Sequence, residues 1–220
     1  MTDDMERADQ GNQSTRERLL DAAGEVFAKH GFHHATIRDI CGRAGSNVAA
    51  VNYHFGDKER LYAAVLEYAD RCTNEEHPID AEFGAGLTPE QRLHELVRRL
   101  VSRIFGAGRA GWYAKLMARE LVDPSKAIEP VVERSYRPQL QQAVDIVREL
   151  MGNQASEEEA RICAFSVVGQ CVFFHHARTI IGQLDPQLRF GPEDIERLAD
   201  HITRFSIAAI RNVKREGYVS

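Results

Sequence analysis

The stretch TIRDICGRAGSNVAAVNYHFGDKERLY, Thr36 to Tyr62, decides the fold. Thr36 stands three positions before Asp39 and can cap a short helix on which Ile37, Ile40 and Cys41 share one face at i, i+3, i+4 spacing. Gly45 stops that helix, since glycine tolerates the left-handed backbone a sharp helix end requires. Ser46 and Asn47 then offer a side-chain oxygen to the free amides of the next helix. From Val48 to Phe55 the apolar Val51 and Phe55 fall four apart and turn to one side, which leaves Asn47, Val48, Ala49, Asn52 and Tyr53 mostly outward. Gly56 and Asp57 form the next stop and start, with Asp57 capping a long helix through Leu61, Val65 and Leu66. Two short helices about a tight turn, followed at once by a third, are the layout of a helix-turn-helix DNA reader whose outward set enters the major groove.

Upstream of this stretch, residues 1–13 (MTDDMERADQGNQ) are polar, acidic and without periodicity, and are expected to form a disordered tail. Ser14 with Glu17 makes a capping box for a first helix carrying Leu20, Ala23, Val26, Phe27 and His30, which Gly31 ends. Downstream, the helix from Asp57 reaches about Asn74, and Glu75 to Leu87, with a proline and two glycines, is the domain junction. Thr88-Pro89-Glu90 opens a helix that buries Leu93, Leu96, Val97, Leu100, Val101 and Ile104, and Gly106, Gly108 and Gly111 break it. A further helix carries Trp112, Tyr113, Leu116, Met117 and Leu121 up to Asp123-Pro124, and prolines 130 and 138 kink or divide the segment that runs on to Met151. Ser156 with Glu159 caps a helix to about Leu184 that is apolar nearly all round between Ile162 and Phe174. The last helix, Pro192 to about Lys214, shows Ile195, Leu198, Ala199, Ile202, Phe205, Ala209 and Val213 along a single stripe. No strand-length alternation occurs, so the predicted fold is all-α, with a three-helix DNA-binding domain at 14–74 and a helical effector-binding and dimerisation domain at 75–220.

From Ser14 to about Tyr68 the chain resembles the amino-terminal domain of TetR-family transcriptional repressors. Ala22, Ala23, Phe27, Gly31 and Phe32 fit that family's first helix, and Thr36, Ile37, Arg38, Ile40, Ala44 and Gly45 its second. Tyr53, His54, Phe55, Lys58, Leu61 and Tyr62 fit its third helix and exit. The resemblance implies that Thr36 and Arg38 sit near the groove edge, Tyr53 and His54 near phosphates and Lys58 on a phosphate, anchoring rather than reading sequence. The reading helix departs from the family, whose members often carry Lys or Arg at the position of Val48 and Tyr at that of Asn52. Direct readout is therefore expected to be mild: Asn47 or Asn52 on an adenine edge, and Val48, Ala49 and Ala50 on thymine methyls, each about 1–3 kcal/mol at best. With Ile37 and Ser46 these residues complete the expected DNA-binding set.

In the second half, MARELVDPSKAIEPVVE, SVVGQC and FFHHARTI resemble the CecR-type subgroup. That implies an antibiotic-like organic effector and transport, efflux or drug-response target genes. It also implies that the last two helices pair with their twofold mates as a four-helix interface. A homodimer would set two reading helices roughly 34–36 Å apart over a palindromic double-stranded operator. An activator, or a metal- or redox-responsive regulator with the same reader, is the alternative. A helical enzyme or small-molecule carrier ranks last, for the sequence has no phosphate-binding glycine loop, nucleophile elbow or metal triad.

The residues offer an apolar pocket between helices of the second domain. Trp112, Tyr113, Met117, Phe165, Phe173 and Phe174 are its apolar candidates, and Arg119, Glu120, Gln170, His175 and Arg178 its polar ones; core packing is the competing reading of each aromatic, and Trp112, between glycines near a helix start, could equally stack on a neighbouring domain. Cys171 and His175 lie four apart on one helical face, but two ligands do not make a metal site, and no metal or other cofactor is expected. Cys41, Cys72, Cys163 and Cys171 show no C-x-x-C spacing and read as reduced packing residues. Cys163 and Cys171, eight apart on a helix, would be about 12 Å distant. The net charge of −5, from 28 basic and 33 acidic residues, opposes DNA binding on composition alone. The cations Arg16, Arg18, Arg38, Arg43, Lys58 and Arg60 nevertheless concentrate in the reader, so binding is expected to rest on a local patch and to depend strongly on salt. No run of about 18 apolar residues exists and the amino terminus is unlike a signal peptide, so the expected location is the cytoplasm.

Overall fold

A computed structural model of the chain describes residues 2–76, 78, 83–106, 109–152 and 156–213, with the side chains of 2–13 and 109–110 outside that description. Residues 77 and 79–82 of the expected junction, and Lys214 of the last helix, also lie outside it. The order is α1 (Thr2–His34), α2 (Ile37–Ala44), α3 (Val48–Phe55), α4 (Lys58–Glu76), α5 (Pro89–Phe105), α6 (Arg109–Val122) and a 3-10 turn at Lys126–Ile128. There follow a single turn α7 (Glu129–Val131), a π turn at Val132–Tyr136, α8 (Arg137–Met151), α9 (Glu157–His176), α10 (Arg178–Leu184) and α11 (Pro192–Val213). No strand occurs among the described residues, and the fold is all-α. The expected division at prolines 130 and 138 is a 3-10 turn, the short α7 and a π turn ahead of α8, with Pro130 and Pro138 in the first turns of α7 and α8, where the missing N–H breaks no i→i−4 bond.

Three elements depart from the sequence reading. α1 runs back to Thr2, so the segment expected to be a disordered tail continues the helix, and the Ser14–Glu17 box does not set its start. The helix expected from Ser156 to Leu184 breaks at Ala177, whose φ of −85° and ψ of 1° leave helical geometry. The stripe on α11 splits: Leu198, Ala199 and Ile202 are buried with Ile210, whereas Phe205 and Val213 stay exposed.

Packing groups the chain into two compact units, Met1–Thr73 with Gly108–Val132, and Asn74–Ala107 with Glu133–Ser220. In the first, Leu19, Leu20, Ala23 and Phe27 of α1 bury fully with Ile40 of α2, Val51 of α3 and Leu61, Val65 and Leu66 of α4. The Tyr62 ring meets Phe27 edge-on at 4.9 Å and Phe32 at 5.0 Å, closing the core over the end of α1. α6 joins this unit because its Trp112 indole lies against Gly24, where an added Cβ would meet ring carbons at 2.5–2.7 Å. The second unit is a helical bundle whose core draws on one face of each of α5, α8, α9 and α11, for example Val97, Val147, Val167 and Ile202. Each such face follows the 3.6-residue period that the apolar spacing announces.

Candidate functional site

The reader is built from short-range caps. Thr36 Oγ1 accepts from the Asp39 amide at 3.1 Å and donates to Asp39 Oδ2 at 2.6 Å, fixing the start of α2. Gly45 ends α2 at φ 60°, ψ 40°, and the Ser46 amide returns to the Cys41 carbonyl at 3.0 Å. Asn47 Oδ1 accepts from the Ala50 amide at 2.9 Å and starts α3. Gly56, at φ 86°, closes α3, and Asp57 Oδ1 accepts from the Arg60 amide at 2.7 Å to open α4.

Val51 and Phe55 anchor α3 inward, so Asn47, Val48, Ala49, Asn52 and Tyr53 face solvent, with Val48 half exposed and Tyr53 76% exposed. Ile37, Ser46, Ala50, His54 and Lys58 are half-buried at the rim, and Thr36 and Arg38 are exposed beside them. The geometry separates the two asparagines. Asn47 spends its side-chain carbonyl on the cap and cannot offer both edges of its amide to an adenine, whereas the Asn52 side chain has no partner among the described residues. Lys58 lies over the Phe32 ring at 4.7 Å and donates to the His33 carbonyl at 3.4 Å, contacts that orient its ammonium without neutralising it. Arg43 pairs with Glu25 and Arg60 with Asp57, so the cationic patch is smaller than the sequence count.

The effector-pocket candidates do not converge. Trp112, Tyr113, Met117 and Glu120 belong to α6 and the reader's unit. There Tyr113 Oη donates to Asp70 at 2.9 Å, Tyr62 Oη donates to Glu120 at 2.6 Å, and Ser125 donates to Glu120 through its amide and hydroxyl. Burial and the Glu120 carboxylate push the Tyr62 hydroxyl far above the ordinary phenol range. Arg119 donates to the carbonyls of Ala28 and Lys29, just before the kink of α1 at Gly31. In the second unit Phe165 and Phe173 are 54% and 61% exposed, because α9 turns only Ala160, Ala164, Val167, Cys171 and His175 fully into the core. Phe174 flanks that core, and Gln170 donates to Ser206 Oγ at 3.1 Å, tying α9 to α11.

His175 and Arg178 do come together. Arg178 Nη1 donates to His175 Nε2 and to the His175 carbonyl, both at 2.9 Å, which stabilises the break after α9. Beside them is an open concavity of about 560 Å³, bordered by Phe105, Arg178, Thr179, Leu188, Arg189 and Phe190. Phe105, Arg189 and Phe190 went unnoticed in the sequence; a lone aromatic at a helix end and a loop arginine carry no periodic signal. Cys171 is buried and its thiol pushed up to about 12, so it stays protonated. All four cysteines are free, and no metal-binding group of three His, Cys, Asp or Glu occurs among the described residues. No described helix is long and apolar enough to cross a membrane.

Burial, then the neighbouring Arg178 and His176, hold His175 at about 4, below the ordinary imidazole value of 6.5. Between these values the unfolded chain binds more protons than the folded one. The stability contributed by the neutral ring is therefore full above about pH 6.5 and lost as pH falls toward 4. The urea midpoint should decline through that window, and His175→Gln should make the decline shallower. Parallel declines in the two proteins would assign the acid sensitivity to other groups.

Residues 19–65 match the model of the tetR family of bacterial regulatory proteins, and residues 89–210 that of the C-terminal domain of the HTH-type transcriptional dual regulator CecR. The chain is 24% identical over 199 residues to the CecR of Shigella flexneri, covering 87% of this chain and 89% of that one. It is 40% identical over 92 residues to the HTH-type transcriptional repressor NicS of Pseudomonas putida, covering 41% and 42% of the two chains. The structure of FadR from Bacillus subtilis, solved with stearoyl-CoA, superposes with a TM-score of 0.62 at 16% identity, over 87% of this chain and 97% of that one. With a capped helix-turn-helix in front of a CecR-type second domain, the chain belongs to the TetR family of DNA-binding transcriptional regulators, which are not enzymes.

Proposed function

We propose that this chain is a homodimeric repressor that reads a palindromic operator in the cytoplasm and is released from it by a small organic effector held in its second domain. The observation that carries the dimer is an unpartnered apolar face: Ile162, Phe165 and Phe173 on α9, with Phe205 on α11, are each more than half exposed. Large apolar side chains left exposed on two helices of one bundle mark an interface, and a twofold partner with the same residues is its simplest complement. Such pairing sets two α3 helices on successive major grooves. A FadR neighbour solved with stearoyl-CoA supports a small-molecule effector, and transport or efflux genes are the targets we propose from the sequence resemblance alone. An effector releases DNA only by binding one dimer conformation better than the other, and operator DNA then weakens effector binding by the same factor.

Selection of bound sequences from random duplex DNA tests the reading directly. An enriched inverted repeat supports it; enrichment of single half-sites, or of nothing at low ionic strength, overturns it. On the selected operator Asn52→Ala should relax preference at one base pair, at a cost of about 1–3 kcal/mol there. Lys58→Ala should instead weaken all sequences alike and lower the salt slope by about one. Equal effects of the two substitutions in a competition assay would defeat the division between reading and anchoring. Asn47→Ala is a poor substitute for Asn52→Ala, because loss of its cap costs helix stability of about 1 kcal/mol.

A further inference from the structure

Arg178 and Arg189 border the same concavity, and neither has a carboxylate partner among the described residues. Arg178 is bonded only to neutral acceptors, the ring nitrogen and carbonyl of His175. The nearby acids are engaged: Asp194 accepts from the amides of Arg189 and Gly191 and pairs with Arg197, and Asp185 accepts from the Gln187 amide. Among the described residues, then, neither guanidinium at this opening meets a carboxylate. The wall beside them is aromatic, with Phe105 and Phe190 stacked at 5.2 Å and 16°. Phe190 holds that stack at φ 55°, a left-handed conformation costly for a bulky residue and found where a site over-determines its backbone. Behind them His175 is 7% exposed, and its Nδ1 is buried without a partner. A neutral histidine that accepts at Nε2 carries its proton on Nδ1, which leaves a donor unsatisfied.

We propose that this concavity binds an aryl carboxylate, its carboxylate paired with Arg178 and Arg189 and its flat body laid against the Phe105–Phe190 stack. The volume of about 560 Å³ falls in the range of small-molecule sites. A bidentate guanidinium–carboxylate pair supplies orientation, and the ring stack selects flat bodies. The proposal rests on the effector-responsive reading above and gives that effector a chemical class.

Calorimetric titration of the full chain without DNA tests it, with 2-naphthoate and its neutral isostere 2-naphthamide as probes. The acid should bind and the amide should bind at least about tenfold more weakly, since it lacks the charge that meets the arginines. Arg178→Gln, and separately the exposed Arg189→Gln, should each weaken the acid several-fold and leave the amide unchanged. A folded variant of either kind suffices, because each removes one of the two charges. Equal affinity for acid and amide, no binding of the acid at millimolar concentration, or unchanged acid affinity in both variants would overturn the proposal. A chain that selects an inverted repeat but ignores naphthoate refutes only this site; one that binds naphthoate but selects no DNA refutes the regulator reading instead.

Discussion

Phe205→Glu is expected to leave the chain folded, to make it monomeric at micromolar concentration, and to weaken operator binding by about a thousandfold or more. Folding is spared because Phe205 is 60% exposed and contributes its ring to no buried cluster beyond the stack on His201 at 6.1 Å. Assembly is not spared, because a twofold interface presents the substitution twice and would bury two carboxylates among Phe165, Phe173 and their mates. Desolvating an unpaired charge costs several kcal/mol, more than the apolar contacts of one ring return. The DNA consequence follows from affinity arithmetic: a dimer adds the free energies of two half-sites, and a nanomolar complex reduced to one half-site keeps roughly half of about 12 kcal/mol. Light scattering on the eluting protein and fluorescence anisotropy with the selected operator measure the two effects. Phe205→Leu, which keeps the apolar surface, should retain both. A Phe205→Glu protein that stays dimeric with unchanged operator affinity would remove α11 from the interface.

What the sequence disclosed and what it concealed divide by distance along the chain. Caps act across three residues, so Thr36 on Asp39, Asn47 on Ala50 and Ser156 on Glu159 were legible as patterns and recur in the structure as hydrogen bonds. Gly31, whose positive φ kinks α1 near its end, and Gly45 and Gly56, which end α2 and α3, were legible for the same reason, since the break each imposes is local. The packing of α6 was not. Its aromatic residues suggested a ligand pocket, but Trp112 seats on Gly24 and Tyr113 on Asp70, pairings between distant segments that no periodicity encodes. Similarly, α9 is apolar nearly all round, so its sequence could not say which face enters the core. The structure turns Phe165 and Phe173 outward and Cys171 inward. The break at Ala177 escaped notice because alanine is the best of helix formers, and the break is stabilised by Arg178 folding back on the His175 carbonyl.

The seat of Trp112 gives a test in which the sign of an effect, rather than its size, decides. Gly24 lies inside α1, where replacing glycine by alanine ordinarily stabilises a helix by about 0.5–1 kcal/mol. Here the added methyl would stand 2.5–2.7 Å from three carbons of the indole, closer than such atoms approach, and a rigid bicyclic ring buried to 9% exposure has little room to retreat. Overpacking of this kind costs about 1–3 kcal/mol, which exceeds the propensity gain, so Gly24→Ala should destabilise. Trp112→Ala should cost more, about 3–5 kcal/mol, through the cavity it opens under α6. Together the two substitutions should be non-additive: once the indole is gone, Gly24→Ala recovers its helix-stabilising sign and partly fills the space. Denaturant unfolding of the four proteins completes the cycle. If Gly24→Ala stabilises the parent, or if its effect is the same with and without Trp112, the indole does not rest on Gly24, and α6 loses the contact that ties it most closely to α1.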